Sequence, residues 1–274
     1  MLGAIMGDIA GSRFEWKEWK SKEFVFLTDR NHFTDDSLMT LAIARAFVLH
    51  KNKWREADFQ QKVIDSMLYI GRAFPRASWG AHFYKWLFEK AEPYQSWGNG
   101  AAMRISSIGW IAESEEDVKY FSKLVTEVSH NHPEGIKGAE AVAMAIYLAR
   151  NGADMTTVRN RMIEYYPHIA AMTVDSIRPG YCIDDQGGFI SCQGSVPEAI
   201  VCFLEATSTE DAIRNAISLG GDADTQAAIA GSMAEAYFGV PVELEDRVLT
   251  YLTDELRSVY YSFDLIKKPR RQRA

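Results

Sequence analysis

Nowhere in these 274 residues do eighteen apolar side chains run uninterrupted, so no segment is suited to cross a bilayer as a helix. The opening Met1-Leu2-Gly3-Ala4-Ile5-Met6-Gly7-Asp8 has no basic n-region and meets an acid too soon for a secretory signal. The expected compartment is the cytoplasm. Cysteine is scarce. Cys182, Cys192 and Cys202 stand ten residues apart with no CxxC pair, a pattern that fits neither a disulfide framework nor a zinc knuckle. Buried or idle thiols are expected. Positive charge is also in short supply, and a formal net charge of −7 argues against a nucleic-acid-coating surface. The one basic concentration, Lys267, Lys268, Arg270, Arg271 and Arg273, reads as a solvated, frayed tail over 267–274. Strand signals are sparse: 22–27 and 188–191 are candidate fragments, without the regular spacing a sandwich or barrel needs. No linker rich in Pro, Gly or Ser and no solenoid repeat divides the chain.

What the chain does have is helical periodicity and, at 47% apolar residues, enough material for one sizeable core. Met39, Ala42, Ile43, Ala46 and Phe47 follow the i, i+3, i+4, i+7, i+8 rule. Ala139, Val142, Ala143 and Ile146 do so ahead of an Asn151-Gly152 stop. Ile229, Met233, Ala236 and Tyr237 mark a helix closed by Gly239 before Pro241. Further helices are expected near 56–71, 80–90, 115–129, 155–164, 196–206, 209–218 and 243–257. The expectation is an all-α, compact single-domain helical bundle over 1–266. Glycines gather at the edges of these helices, where backbone can approach a ligand closely.

Two acidic blocks carry the chemistry. Phe33-Thr34-Asp35-Asp36-Ser37 precedes the Met39 helix, and Gly220-Gly221-Asp222-Ala223-Asp224-Thr225 precedes the Ile229 helix. Each offers two carboxylates and a threonine, hard oxygen donors of the kind Mg²⁺, Mn²⁺ or Ca²⁺ prefer. Either block alone is equally well explained by helix capping. Yet a cap needs one acceptor, a pair of aspartates costs repulsion, and the same set occurs twice. Two such blocks folded together suit a binuclear centre, and metal binding becomes the favoured reading. A third block, Ser96-Trp97-Gly98-Asn99-Gly100-Ala101-Ala102-Met103-Arg104, has glycines that would let backbone N–H groups cradle an anion such as a diphosphate. A fourth, Ser129-His130-Asn131-His132, lacks the third or fourth ligand a zinc site requires.

Together with Gly7-Asp8-Ile9-Ala10-Gly11 and the following Glu15, these blocks resemble, in order and over nearly the whole chain, the ADP-ribosylglycohydrolase family. The resemblance implies an all-α bundle around a central binuclear site holding two Mg²⁺ (or Mn²⁺). It implies Thr34, Asp35, Asp36, Asp222, Asp224 and Thr225 as metal ligands, with Asp224 as the bridge. Glu15 would stand at the mouth, and Glu15, Asp36 and Asp222 are the candidate catalytic carboxylates. Ser96, Trp97, Gly98, Asn99, Gly100 and Met103 would hold the diphosphate and distal ribose, and His130 the nucleotide portion. The implied activity is hydrolysis at C1″ of ADP-ribose on a modified acceptor, by a cytoplasmic monomer with no membrane partner. The acceptor is left open; nucleic acid is included, although the charge does not favour it. A non-catalytic ADP-ribose-binding module and a binuclear phosphohydrolase are the alternatives. Ser37, Ser107 and Glu235 depart from the family pattern without touching an expected ligand.

Overall fold

A computed structural model describes residues 1–183 and 188–271; Arg273, counted in the basic tail, lies outside them. Among the described residues there are fifteen α-helices and no strand. In chain order they are α1 (Leu2–Gly11), α2 (Asp35–Leu49), α3 (Phe59–Ala73), α4 (Ala81–Phe88), α5 (Gly100–Met103), α6 (Ser106–Ile111), α7 (Glu115–Thr126) and α8 (Pro133–Arg150). There follow α9 (Met155–Tyr165), α10 (Val174–Ile177), α11 (Cys192–Leu204), α12 (Thr209–Ile217), α13 (Ala223–Phe238), α14 (Val242–Leu249) and α15 (Asp254–Asp264).

The axis of the bundle is a helix that periodicity does not reveal. Every residue of α1 is buried, so α1 shows no amphipathic stripe to read. Gly3, Gly7 and Gly11 recur every fourth position along one face. A Cβ on Gly7 would collide with the Ala227 carbonyl, and one on Gly11 with the backbone of Asp224. Bare backbone on α1 therefore lets α13 lie almost against it. The contact fixes the start of α13 beside the end of α1. Glu235, on the same buried face of α13, accepts the Gly3 N–H at 2.7 Å, which accounts for a carboxylate inside that helix.

Other helices pack around this pair. The Met39–Phe47 stripe is buried in α2, and the Ala139–Ile146 stripe in α8. Gly152 and Gly239 take the positive φ expected of helix stops. The single helix expected over 243–257 is broken at 250–253, where Thr253 accepts the Leu256 N–H and starts α15 afresh.

Neither expected strand forms. Arg214 donates to the carbonyls of Lys22 and Phe24, both at 2.9 Å, and Arg247 to that of Leu27 at 2.6 Å. Arginines from α12 and α14 thus supply the donors a neighbouring strand would have given. Residues 188–190 form a short 3₁₀ turn, tied to the glycine loop by Asn99 N–H to Ile190 O and Cys192 N–H to Trp97 O. Cys192 and Cys202 are buried and Cys182 is exposed, all as free thiols. The basic tail is docked through Arg271 rather than frayed: Lys268 N–H donates to Trp110 O, and Arg271 N–H to Arg150 O. Among the described residues no helix is long and apolar enough to cross a membrane.

Candidate functional site

The site begins with a carboxylate on α1. Asp8 accepts the Thr34 hydroxyl at 2.7 Å, the Thr34 and Ser37 amides at 3.0 Å each, and the Ser37 hydroxyl. Amides at the start of a helix have no partner within it, so Asp8 caps α2 from a different helix and fixes where α2 starts. Asp36 is thereby carried to α13. Its Oδ2 accepts the Thr225 hydroxyl at 3.2 Å, across 189 positions of sequence. Its Oδ1 is buried with no hydrogen-bond partner.

The second acidic block arrives by a glycine turn. Gly220 and Gly221 have φ of +80° and +77°, where L side chains are strained. Gly221 also lies under the Tyr181 ring, which a Cβ would meet at 2.9 Å. The turn delivers Asp222 to the N-cap and Asp224 to the first turn of α13. Asn99 donates to Asp222 Oδ2 at 2.6 Å and to Ser195 at 3.1 Å. The expected adjacency of the two acidic blocks is observed: oxygens of Asp8, Asp36 and Asp224 lie within 4.8 Å of one another. Those of Glu15, Asp222 and Asp224 do the same, so Asp224 belongs to both sets.

Burial dominates the electrostatics of these carboxylates, and for most of them their neighbours' charges add to it. Burial, then the charges of Asp8 and its neighbours, pushes Asp35 and Asp36 well above the usual carboxylate range. Burial, then Asp222 and Asp36, does the same to Asp224. Asp8 and Asp222 are raised by burial against the pull of their hydrogen bonds. Glu15, half-buried in the turn after α1, is raised by burial and then by Asp222. Confining like charges in this way is costly unless a counter-charge is present. The donors are all oxygen, and one buried oxygen of Asp36 has no partner. This set fits hard divalent cations such as Mg²⁺ or Mn²⁺.

A cavity of about 290 Å³ opens over the cluster. Glu15, Trp16, Asp35, Asp36, Asp222, Asp224 and Thr225 line its acidic end. Ser96, Gly98, Asn99, Gly100 and Met103 line it as well. From Asn99, bound to Asp222, this loop runs to His130, whose Nε2 would meet a Cβ on Gly100 at 3.2 Å. Phe83 and Tyr94 flank the His130 ring at 6.2 and 5.6 Å, and Arg104 lies 5.6 Å over the Phe83 ring. Trp16 takes a left-handed φ of 60°, a costly conformation next to Glu15.

Most of the residues singled out from the sequence line this one cavity, with two exceptions. Trp97 is half-exposed and packs on His132 at 5.3 Å, outside the cavity. Thr34 turns toward Asp8 and Asp36. The expected cradle of backbone amides is also altered. Gly98 N–H is held by Ser96 Oγ, Asn99 N–H by Ile190, Ala101 N–H by Gly98 and Ala102 N–H by Asn99. The glycines there make room for His130 instead. His132 caps α8, accepting the Glu134 amide at 3.2 Å. Sequence reasoning gave no role to Asp8, Arg104, Phe83 or Tyr94. The first two stand inside quoted motifs; Phe83 and Tyr94 have no local signature.

Comparison with known proteins places this architecture. A family model described as ADP-ribosylglycohydrolase matches residues 1–271. The chain is similar to "ADP-ribosylhydrolase ARH3" of Mus musculus, 26% identical over 88% of this chain and 83% of that protein. It is also similar to "ADP-ribosylarginine hydrolase Tri1" of Pseudomonas putida (strain GB-1), 26% identical over 88% of this chain and 70% of that protein. A solved structure titled "ADP-ribosylglycohydrolase-related protein complex" shares the fold with a TM-score of 0.66, at 21% identity over 97% of this chain and 96% of its own.

Proposed function

The chain belongs to the ADP-ribosylglycohydrolase family, and from that premise we propose that it hydrolyses the C1″ bond between ADP-ribose and an acceptor nitrogen or oxygen, with two divalent cations at the acidic end of the cavity. The observation that carries this reading is the meeting of the two acidic blocks around Asp224, a member of both oxygen sets. That shared position suits a bridging carboxylate between two cations. Thr34, Asp35, Asp36, Asp222, Asp224 and Thr225 would hold the cations, with Asp8 orienting Thr34 and the start of α2 behind them. Bound cations would supply Lewis acidity toward water and the ribose hydroxyls.

The remaining work falls to the chain's own residues. Cleavage passes through a transition state of oxocarbenium character, so the sugar must be held still while water attacks C1″. The 96–103 loop and His130 would grip the rest of the nucleotide. Glu15 borders the cluster, and burial beside Asp222 raises its proton affinity, which suits a group that takes or returns a proton at the scissile bond. Asp36 and Asp222 are the other candidates for that task. The protein would work as a cytoplasmic monomer.

The test is incubation of the purified protein and Mg²⁺ with a panel of acceptors ADP-ribosylated on arginine, serine, O-acetyl, polymer or nucleic-acid positions. Free ADP-ribose from at least one acceptor is the expected product. AMP or inorganic phosphate in its place would mark a phosphohydrolase. Tight ADP-ribose binding with no release from any acceptor would mark a binding module.

A further inference from the structure

Arg104 is 1% exposed, lines the cavity, and has an Nε with no hydrogen-bond partner. The groups that act electrostatically on its guanidinium are Tyr94 and Cys192, with no carboxylate among them. A buried cation in that position is costly until an anion joins it. Its Nη2 donates to Ser129 Oγ at 2.8 Å, and Ser129 Oγ lies 2.8 Å from His130 Nδ1. A guanidinium can only donate. The Ser129 oxygen therefore accepts from Arg104, and its own proton is free to go to His130 Nδ1. With that proton directed at the Nδ1 lone pair, the imidazole proton sits on Nε2, which faces Gly98 and Gly100 at the cavity wall.

We infer that Arg104, Ser129 and His130 form a relay that locks His130 as the neutral Nε2–H tautomer and places an uncompensated positive charge behind it, creating a receiving position for a phosphate-type anion beside Gly98 and Gly100. The loop amides nearby are largely committed within the protein, so this side chain must supply the donor. Neutrality is consistent with the surroundings: burial, then the Arg104 charge, holds His130 well below its ordinary pKa. A neutral ring has one proton, and its position decides whether the cavity sees a donor or an acceptor. Against an anion only the donor is useful. Arg104 and Ser129 are positioning residues in this scheme. Of the three, only His130 touches the ligand. The identity of the anion, the diphosphate of ADP-ribose, rests on the proposed function; the relay does not.

The relay has a readout that needs no ligand. Long-range ¹⁵N–¹H spectra of the protein, with its six histidines and His130→Gln to assign the signal, are expected to show His130 protonated at Nε2 and bare at Nδ1. Ser129→Ala removes only a buried hydroxyl and is expected to mix the tautomers. Calorimetry with ADP-ribose as the probe is expected to show affinity falling about tenfold in Ser129→Ala, the scale of one charge-assisted hydrogen bond. Adenosine affinity is expected to hold. In a His130→Gln background the amide donates without help, so adding Ser129→Ala is expected to cost nothing further. An Nδ1–H tautomer in the parent protein, or unchanged tautomer and affinity in Ser129→Ala, would overturn the relay. A parent protein with the Nε2–H signature that binds no ADP-ribose would instead overturn the functional reading.

Discussion

The two ends of the cavity are opposite in charge, and each is incomplete in its own way. At one end Glu15, Asp35, Asp36, Asp222 and Asp224 crowd together, all with proton affinities raised by burial, and all but Asp222 raised further by their neighbours. At the other, Arg104 is buried with no carboxylate acting on it, behind a neutral His130. The first end calls for cations, the second for an anion. A molecule with a polyhydroxyl sugar at one end and a diphosphate behind it matches that polarity. The binding energy of such a site is held in unpaired charge that the fold has already buried, ready for groups of opposite charge.

Changes at the acidic end should cost the most. Asp224→Asn removes the carboxylate common to both oxygen sets. Turnover is expected to drop on the order of a thousandfold, since cation-borne charge stabilisation is worth several kcal/mol. Single-turnover release of ADP-ribose measures it, and near-parental rates would show that the two sets do not need a shared member. Glu15→Gln keeps size and reach but removes basicity. Here turnover is expected to fall about a hundredfold while calorimetric ADP-ribose affinity stays close to parental. If affinity and turnover fall together, Glu15 is a binding residue and the proton work moves to Asp36 or Asp222.

A solitary carboxylate sharpens the contrast with the cluster. Glu198 on α11 does not line the cavity, its Oε2 is buried without a partner, and burial lifts its pKa from an ordinary 4.5 to about 7. Folded protein therefore keeps this proton over a range in which unfolded chain has released it. The resulting stabilisation is present in full below about pH 4.5 and is lost as pH rises through about 7. Glu198→Gln is expected to be more stable than the parent at pH 8 by about 2 kcal/mol, a figure reduced because the residue is only half-buried. Near pH 4.5 the difference should vanish. Denaturant melts at the two pH values check it, and a gap that does not change with pH would contradict the assignment. The smallest effect is expected at Trp97, which sits outside the cavity: Trp97→Ala should leave ADP-ribose affinity within about twofold, as surface changes usually do. A larger loss by calorimetry would bring Trp97 back to the ligand.

The same contrast governs what the sequence revealed. The acidic end was legible because its donors come in two contiguous blocks, Thr34-Asp35-Asp36 and Asp222-Ala223-Asp224-Thr225, each at a helix start. Helices α2 and α8 are legible from their apolar spacing, and α13, buried almost throughout, from its spacing and its Gly239 stop. The anion-receiving end was only partly so. Phe83, Tyr94, Ser129 and Arg104 are drawn from four separate segments and meet only through packing. Helix α1 is missed because it is short, buried on every side and has no capping side chain to mark its start. Asp8 escaped because its role is to cap a helix other than its own. The 22–27 segment looked like a strand because its side chains suit one; arginines from α12 and α14 took the place of the missing neighbour.

The most direct test of the central claim is ADP-ribose release by protein stripped of metal with a chelator, measured before and after Mg²⁺ or Mn²⁺ is restored. The expected result is no release from the stripped protein, recovery with either ion, and little recovery in Asp36→Asn or Asp224→Asn. Full release in excess chelator, with metal removal confirmed by elemental analysis, would contradict it.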